Sequence, residues 1–249
     1  MRFKNKVAVV LGGNSGIGLA TARAFAAEGA RLVITGRDEK TLNAAAGEIA
    51  NCRAVRCDMA DLEALDAFYA GVKAQEGRID CLFVNAGVGG FAPVPEVSTE
   101  LWDQIMNVNL RGAFFAAQKA LPLMGRGGSI VFTGSVGAVL SMVGGSVYAA
   151  AKAGLRAVAR NMAKELVAEG IRVNNLSPGP TETPLLGRGG HMTQDQMTAV
   201  ADHLRSVVPM GRMGTPEEIA RAVLFLSCDE ASFITGIDMY VDGGCVEIG

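Results

Sequence analysis

The sequence holds no block of basic residues, no cysteine pair at redox or metal spacing, and no long apolar run. Charged residues make up 19% of its 249 residues and the net charge is −2, so the electrostatic footprint of a nucleic-acid binder is missing. A membrane-spanning helix needs about 18 or more consecutive apolar residues, and no such stretch occurs. The N-terminal Met1-Arg2-Phe3-Lys4-Asn5-Lys6 passes into an apolar run that ends at Leu11 and meets glycines at once. That run is too short for a secretory signal with a cleavage site, and a cytoplasmic protein is expected. The five cysteines (Cys52, Cys57, Cys81, Cys228 and Cys245) are odd in number and read as small core hydrophobes. His191 and His203 have no second ligand at metal spacing, so no metal site is expected.

What is abundant is apolar surface, at 49% of residues. A chain of this length can bury roughly three quarters of its unfolded surface without disulfide or metal staples. Short β-branched runs alternate with Ala-rich helical stretches. The runs are Val7–Leu11, Arg31–Thr35, Ala54–Cys57, Cys81–Asn85, Ser129–Thr133, Arg172–Ser177 and Asp238–Val241. Several are nearly continuous in Val, Ile and Leu, the pattern of parallel strands buried on both faces. Gly29, Gly77 and Gly170 stand where helices should stop, and Thr215-Pro216-Glu217-Glu218 carries a capping-box pattern with proline at the first helical position. Repeated strand–helix units imply an α/β fold with a doubly wound parallel sheet, as one domain over residues 1–249. The one long interruption, Pro184 to Pro209, holds Gly187, Gly189, Gly190, Met192 and Met197 and reads as a substrate lid or a plain surface excursion.

The first strand runs into Leu11-Gly12-Gly13-Asn14-Ser15-Gly16-Ile17-Gly18 and then a helix to about Glu28. Glycines between a strand and a helix bring backbone N–H groups to a pyrophosphate at the helix N-terminus. The spacing is Gly-x-x-x-Gly-x-Gly, not the strict dinucleotide fingerprint, so a structural turn stays open. At the end of the second strand, Gly36 and Arg37 stand where an acidic residue would grip a ribose 2′-hydroxyl. A guanidinium there suits a 2′-phosphate, which favours NADP(H) over NAD(H), unless Arg37 is merely solvated. Asp38 reads as the N-cap of the next helix.

Tyr148-Ala149-Ala150-Ala151-Lys152 places a phenol and an ammonium on one helix face. A nearby cation favours the phenolate and should lower the tyrosine from its ordinary value near ~10. In order along the chain come the Gly12, Gly16 and Gly18 loop, Cys57-Asp58, Asn85-Ala86-Gly87, Asn107-Val108-Asn109, Ser135, Tyr148 with Lys152, Ser177-Pro178-Gly179 and Val241-Asp242-Gly243-Gly244. In this the sequence resembles the short-chain dehydrogenase/reductase family, over nearly its whole length. It departs at Leu11, where the family usually has a threonine that braces neighbouring strands.

The resemblance implies a catalytic set of Asn109, Ser135, Tyr148 and Lys152. Tyr148 would be the general acid in reduction and the general base in oxidation. Lys152 would depress its pKa and bond the nicotinamide ribose, Ser135 would hold the substrate oxygen, and Asn109 would position a water leading to Lys152. The cofactor residues would be Gly12, Asn14, Ser15, Gly16, Ile17, Gly18, Arg37, Asp58, Met59, Asn85, Ala86, Gly87, Pro178, Gly179, Thr181 and Thr183, together with Tyr148 and Lys152. Bland readings stand beside these: Ser135 as a strand-end turn, Asn109 as a helix-interior amide bonded to backbone, and Asn85-Ala86-Gly87 as a simple turn. Asp242, with Gly243 and Gly244, is expected to be structural or at a subunit contact and not catalytic.

A pocket of Gly87 to Phe91, Val136 to Gly145 and the 184–209 segment, with Leu140, Met142 and Val143 as walls, suits a small or medium ketone, aldehyde or secondary alcohol. Alternatives are a 3-oxoacyl-carrier-protein reductase, an NAD-dependent sugar or hydroxysteroid dehydrogenase, or a non-catalytic nucleotide-sensing module. The carrier-protein reading is disfavoured on the expectation that Met124–Gly128 and Ala168–Gly170 flank the mouth, where only Arg126 is basic and Glu169 has the wrong sign. Apolar positions on the helices from about Thr99 to Met124 and Ser146 to Ala168 suggest, by analogy with related enzymes, a homotetramer.

Overall fold

The computed structural model describes residues 1–184 and 193–249. Seven parallel strands form one sheet: Val7–Leu11 (β1), Arg31–Gly36 (β2), Cys52–Arg56 (β3), Cys81–Val84 (β4), Ser129–Thr133 (β5), Arg172–Pro178 (β6) and Asp238–Val241 (β7). Their order across the sheet is β3-β2-β1-β4-β5-β6-β7, with every neighbouring pair parallel. This is the doubly wound α/β fold expected from the runs.

Successive side chains of a strand face opposite sides, so β1 feeds both layers. Val9 and Leu11 join Leu82, Val84, Ile130 and Phe132 beneath the helices Leu62–Gln75 (α3), Ala113–Ala120 (α5) and Ser146–Leu166 (α6). Ala8 and Val10 join Leu32, Ile34, Phe83 and Val131 beneath Gly16–Ala27 (α1), Glu39–Gly47 (α2) and Pro216–Ser227 (α8). Both faces are therefore dry, which explains the absence of polar alternation in β1.

The punctuation falls where the sequence put it. Gly29, Gly77 and Gly170 take positive φ just past α1, α3 and α6. Thr215 caps α8 in a reciprocal box with Glu218, and Asp38 accepts from the Thr41 N–H at 2.7 Å at the start of α2. Two expectations change in detail. The helix expected over Thr99–Met124 is Thr99–Met106 (α4), a π-helical turn over Asn107–Gly112, and then α5. The interruption after β6 contains a 13-residue helix, Gln194–Ser206 (α7), capped by Thr193. Part of the lid expectation, residues 185–192, lies outside the described residues. No described helix is long and apolar enough to cross a membrane. All five cysteines are free, and burial pushes the Cys57 thiol up to about 11 and Cys81 up to about 12, so neither is poised as a nucleophile.

Candidate active site

Strand order reverses between β1 and β4, and in open α/β sheets ligands bind outside the carboxyl ends of the strands at such a point. The glycine loop leaves β1 there, and Asn85-Ala86-Gly87 leaves β4 beside it. The two approach too closely for side chains. A Cβ on Gly12 would lie 2.7 Å from Ala86 Cα, and one on Gly18 would collide with the Gly12 carbonyl oxygen. Asn85 Nδ2 donates to that carbonyl at 3.0 Å, and Asn85 Oδ1 accepts from Thr133 at 3.1 Å, which ties β1, β4 and β5 together. The brace that Leu11 cannot supply comes from Thr35 of β2: its hydroxyl accepts from Gly12 N–H at 3.2 Å and its carbonyl from Gly13 N–H at 2.9 Å.

The remaining candidates for the nucleotide gather around this cradle. Ser15 is the N-cap of α1, with Gly16 and Ile17 opening the helix. Asn14 packs over Gly36 and donates to Thr41 Oγ1 at 2.9 Å. Thr183 lies across from Gly16, 3.3 Å from where its Cβ would be, and Pro178, Gly179 and Thr181 lead to it from β6. The Thr181 hydroxyl donates to the Gly179 carbonyl at 2.9 Å. Gly179 packs on the backbone of Asp242, whose carboxylate accepts from the Gly244 and Val246 N–H groups, so Asp242 is structural as expected. Asp58 is half-buried and turns one oxygen back on the Ala60 N–H, and Met59 is buried, its carbonyl against Gly112 of the π-helical turn.

Arg37 is exposed at the end of β2. Sequence reading passed over a second guanidinium. Arg56 closes β3 opposite Gly36, is also exposed, and donates from Nε to the Arg37 carbonyl at 3.2 Å. Neither side chain has a carboxylate within ion-pair distance among the described residues. The available signal was register: Arg56 ends β3 opposite Gly36, the residue that precedes Arg37.

The catalytic candidates converge at the ends of β4 and β5. Ser135 follows β5 with extended backbone and accepts from Gly137 N–H at 3.0 Å, and its hydroxyl lies near enough to the Tyr148 phenol to pull that phenol's pKa down. Lys152 is 4% exposed, donates to the Thr133 carbonyl at 2.7 Å, and sits 5.8 Å from the Tyr148 ring centroid. Gly87 makes room for both Asn109 and Lys152: its missing Cβ would lie 3.1 Å from Asn109 Oδ1 and 3.8 Å from Lys152 Nζ. The Asn109 amide is bonded to the backbone of Val88, the simpler of its two readings, while standing next to Lys152.

One electrostatic expectation is corrected. Burial pushes the Tyr148 phenol above its ordinary value, and the Ser135 hydroxyl alone pulls it back. Burial also lowers Lys152 itself, to about 8.

A second correction concerns the supposed flanks of the mouth. Met124–Gly128 and Ala168–Gly170 precede β5 and β6, and the Gly127 N–H donates to the Gly170 carbonyl at 2.9 Å. They therefore lie at the N-terminal edge of a parallel sheet, opposite Ser135 and Tyr148. Arg126 and Glu169 carry no information about what enters the site.

A phosphate cradle at the switch point, with a Tyr–Ser pair and a buried lysine beside it, defines a dinucleotide-linked oxidoreductase class. A family profile described as enoyl-(acyl carrier protein) reductase matches residues 12–246. The chain is 36% identical over 252 residues to a 3-oxoacyl-[acyl-carrier-protein] reductase of Thermotoga maritima, covering 99% of this chain and 100% of that one. It superposes on the crystal structure of levodione reductase with TM-score 0.92 at 34% identity, covering 98% of both chains. A short-chain dehydrogenase/reductase, glucose/ribitol dehydrogenase, from Brucella melitensis gives 0.91 at 32%, again over 98% of both. The chain belongs to the short-chain dehydrogenase/reductase family, whose members are oxidoreductases acting on CH–OH groups with nicotinamide nucleotides.

Proposed function

We propose that this protein is an NADP(H)-dependent reductase of ketones and aldehydes, running as a secondary-alcohol dehydrogenase in reverse. The observation that carries the reading is the Tyr148 phenol near the Ser135 hydroxyl, one helical turn from buried Lys152, beside the glycine cradle. The fit to a dinucleotide rests on the close backbone approach that Gly12 and Gly18 allow in that loop and on the N-terminus of α1. NADPH, when bound, supplies the hydride to the carbonyl carbon. Tyr148 gives its proton to the carbonyl oxygen, and in oxidation takes it back. Ser135 donates to the same oxygen as negative charge develops on it. Lys152 would return a proton to the phenol, and Asn109 beside it would position a water that brings the replacement proton from solvent. Pro178, Gly179, Thr181 and Thr183 hold the nicotinamide end, Asp58 and Met59 the adenine, and Arg37 with Arg56 the 2′-phosphate.

Two wider statements belong to this reading. Residues 184–209 act as the substrate lid. The protein works as a homotetramer: a mostly apolar groove of about 460 Å³ between α4–α5 and α6, lined by Met106, Leu110, Phe114, Gly154 and Val158 with Asn107 and Arg111, suits a second copy. Light scattering on the purified protein checks the assembly.

The decisive experiment is a panel of ketones, aldehydes, secondary alcohols and a 3-oxoacyl thioester, run with NADPH and NADH side by side. Turnover of simple ketones with NADPH preferred is the expected result. Thioester turnover far above that of simple ketones selects the carrier-protein reductase instead, and NADH preference selects an NAD-dependent dehydrogenase. Cofactor binding with no turnover anywhere selects a nucleotide-sensing module.

A further inference from the structure

We infer that Phe91 is the specificity-determining residue of the substrate mouth, and that the mouth takes an uncharged ketone or secondary alcohol bearing an aromatic or alicyclic ring. The inference rests on the reading of Tyr148 as the proton-transfer group. The Phe91 ring lies 5.9 Å from the Tyr148 ring, centroid to centroid, with the planes 37° apart. That is within the range at which aromatic faces interact, yet Phe91 is 60% exposed. A phenylalanine fixed beside a reactive phenol with most of its surface open presents an apolar face to whatever reaches that phenol.

The loop that carries it is held in place. The Ala92 N–H donates to the Gly144 carbonyl at 3.0 Å, which joins the segment after β4 to the segment after Ser135. Gly144 has φ +73°, and a Cβ there would press to 3.3 Å on the Ala92 backbone, so the two loops lie as close as glycine permits. The second loop adds more open apolar surface: Val143 is almost wholly exposed, and Val139, Leu140 and Met142 are each more than a third exposed. Large apolar side chains gathered on one rim mark a binding surface.

Charge is absent from both walls. Gly87–Val94 and Val136–Gly145 contain no Asp, Glu, Lys, Arg or His. A carboxylate or phosphate on the substrate would lose water there and gain no partner from these walls. A polyol would find only the Ser141 hydroxyl and backbone groups along these two walls. A ring next to the carbonyl loses nothing polar and gains the face of Phe91 as its oxygen meets Tyr148 and Ser135.

The test compares wild type, Phe91→Ala and Phe91→Leu on acetophenone and 2-butanone with NADPH. Calorimetric binding of 1-phenylethanol to each protein with NADP⁺ present runs in parallel. Because Phe91 is mostly exposed, both variants should keep the wild-type melting temperature. Phe91→Ala should lower kcat/KM for acetophenone about tenfold and change 2-butanone less than twofold, with Phe91→Leu between. Its affinity for 1-phenylethanol should fall by a similar factor. Equal losses on the two ketones, or no loss on either, overturn the assignment. If wild type turns over neither ketone, calorimetry decides. Tenfold weaker 1-phenylethanol binding in Phe91→Ala upholds the slot and removes the NADPH-dependent simple-ketone reading, whereas unchanged or undetectable binding overturns the slot itself.

Discussion

The Asn109 side chain pairs with Val88 in both directions: Oδ1 accepts from the Val88 N–H at 2.9 Å and Nδ2 donates to the Val88 carbonyl at 2.8 Å. An amide in a helix thus serves as the hydrogen-bonding partner for the chain that leaves β4. The π-helical turn around Asn109 goes with it, since such bulges re-aim a side chain by one extra residue and collect at functional sites. The pairing fixes Gly87 against Lys152.

Asn109→Ala would leave two buried backbone groups without partners, as Asn109 is 1% exposed. An orphaned buried donor or acceptor costs about 1–3 kcal/mol, so a loss of about 2–6 kcal/mol is expected for the two. Urea unfolding measures it. A change within about 0.5 kcal/mol, typical of a surface site, would show that Val88 does not depend on this amide.

The strands were legible because β1, β4 and β5 are dry on both faces and so carry unbroken apolar runs. Helix ends were legible because Thr215, Asp38 and Gly170 act through local geometry that residue type dictates. Tyr148 and Lys152 could be paired because four residues of helix separate them. What escaped was set by three-dimensional register. Arg56 meets Arg37 only because β3 lies beside β2, and Phe91 meets Tyr148 only because two loops are stitched at Ala92 and Gly144. The sign of the Tyr148 shift escaped for a related reason. Helical spacing puts an ammonium near a ring, but the burial that raises the phenol is set by the elements packed around it.

Tyr148→Phe removes the transferable proton and leaves the ring, so NADPH affinity should stay within about twofold of wild type. Turnover should fall about 10²–10⁴-fold, the usual contribution of a positioned general acid. Ser135→Ala should lose less, about 10²-fold, in kcat, because Ser135 stabilises the oxygen and does not protonate it. Steady-state kinetics with a fluorescence titration of NADPH separates the two quantities. Retained turnover in Tyr148→Phe would remove its assigned role.

Arg37→Ala should weaken NADPH about 10–100-fold, the range of a lost charge-assisted hydrogen bond, and leave NADH nearly unchanged. Arg56→Ala should act in the same direction by a smaller factor, because its Nε is already engaged by the Arg37 carbonyl. Both side chains are exposed, so melting temperatures should not move. Added salt should shrink the NADPH advantage of wild type. Equal losses for NADPH and NADH in either variant would mean that arginine supports the fold of the nucleotide site and not the 2′-phosphate.

Lys152 links function to stability through its burial. Its ammonium ordinarily titrates near 10.5, and in the folded protein burial lowers this to about 8. Between those values the unfolded chain binds more protons than the folded one, so stability rises with pH across the window. Below pH 8 both states hold the proton and the folded state bears the full penalty of a buried charge. Lys152→Met removes that penalty while leaving the Thr133 carbonyl without its donor, a loss of about 1–3 kcal/mol that offsets part of the gain. The variant's stability relative to wild type should therefore be most favourable at pH 7 and become less favourable as pH rises from 8 toward 10.5, with turnover lost throughout. Paired urea titrations at pH 7 and pH 10 give the difference directly. If it is the same at both pH values, the lysine is not held against its ordinary ionisation and the electrostatic account of this site fails.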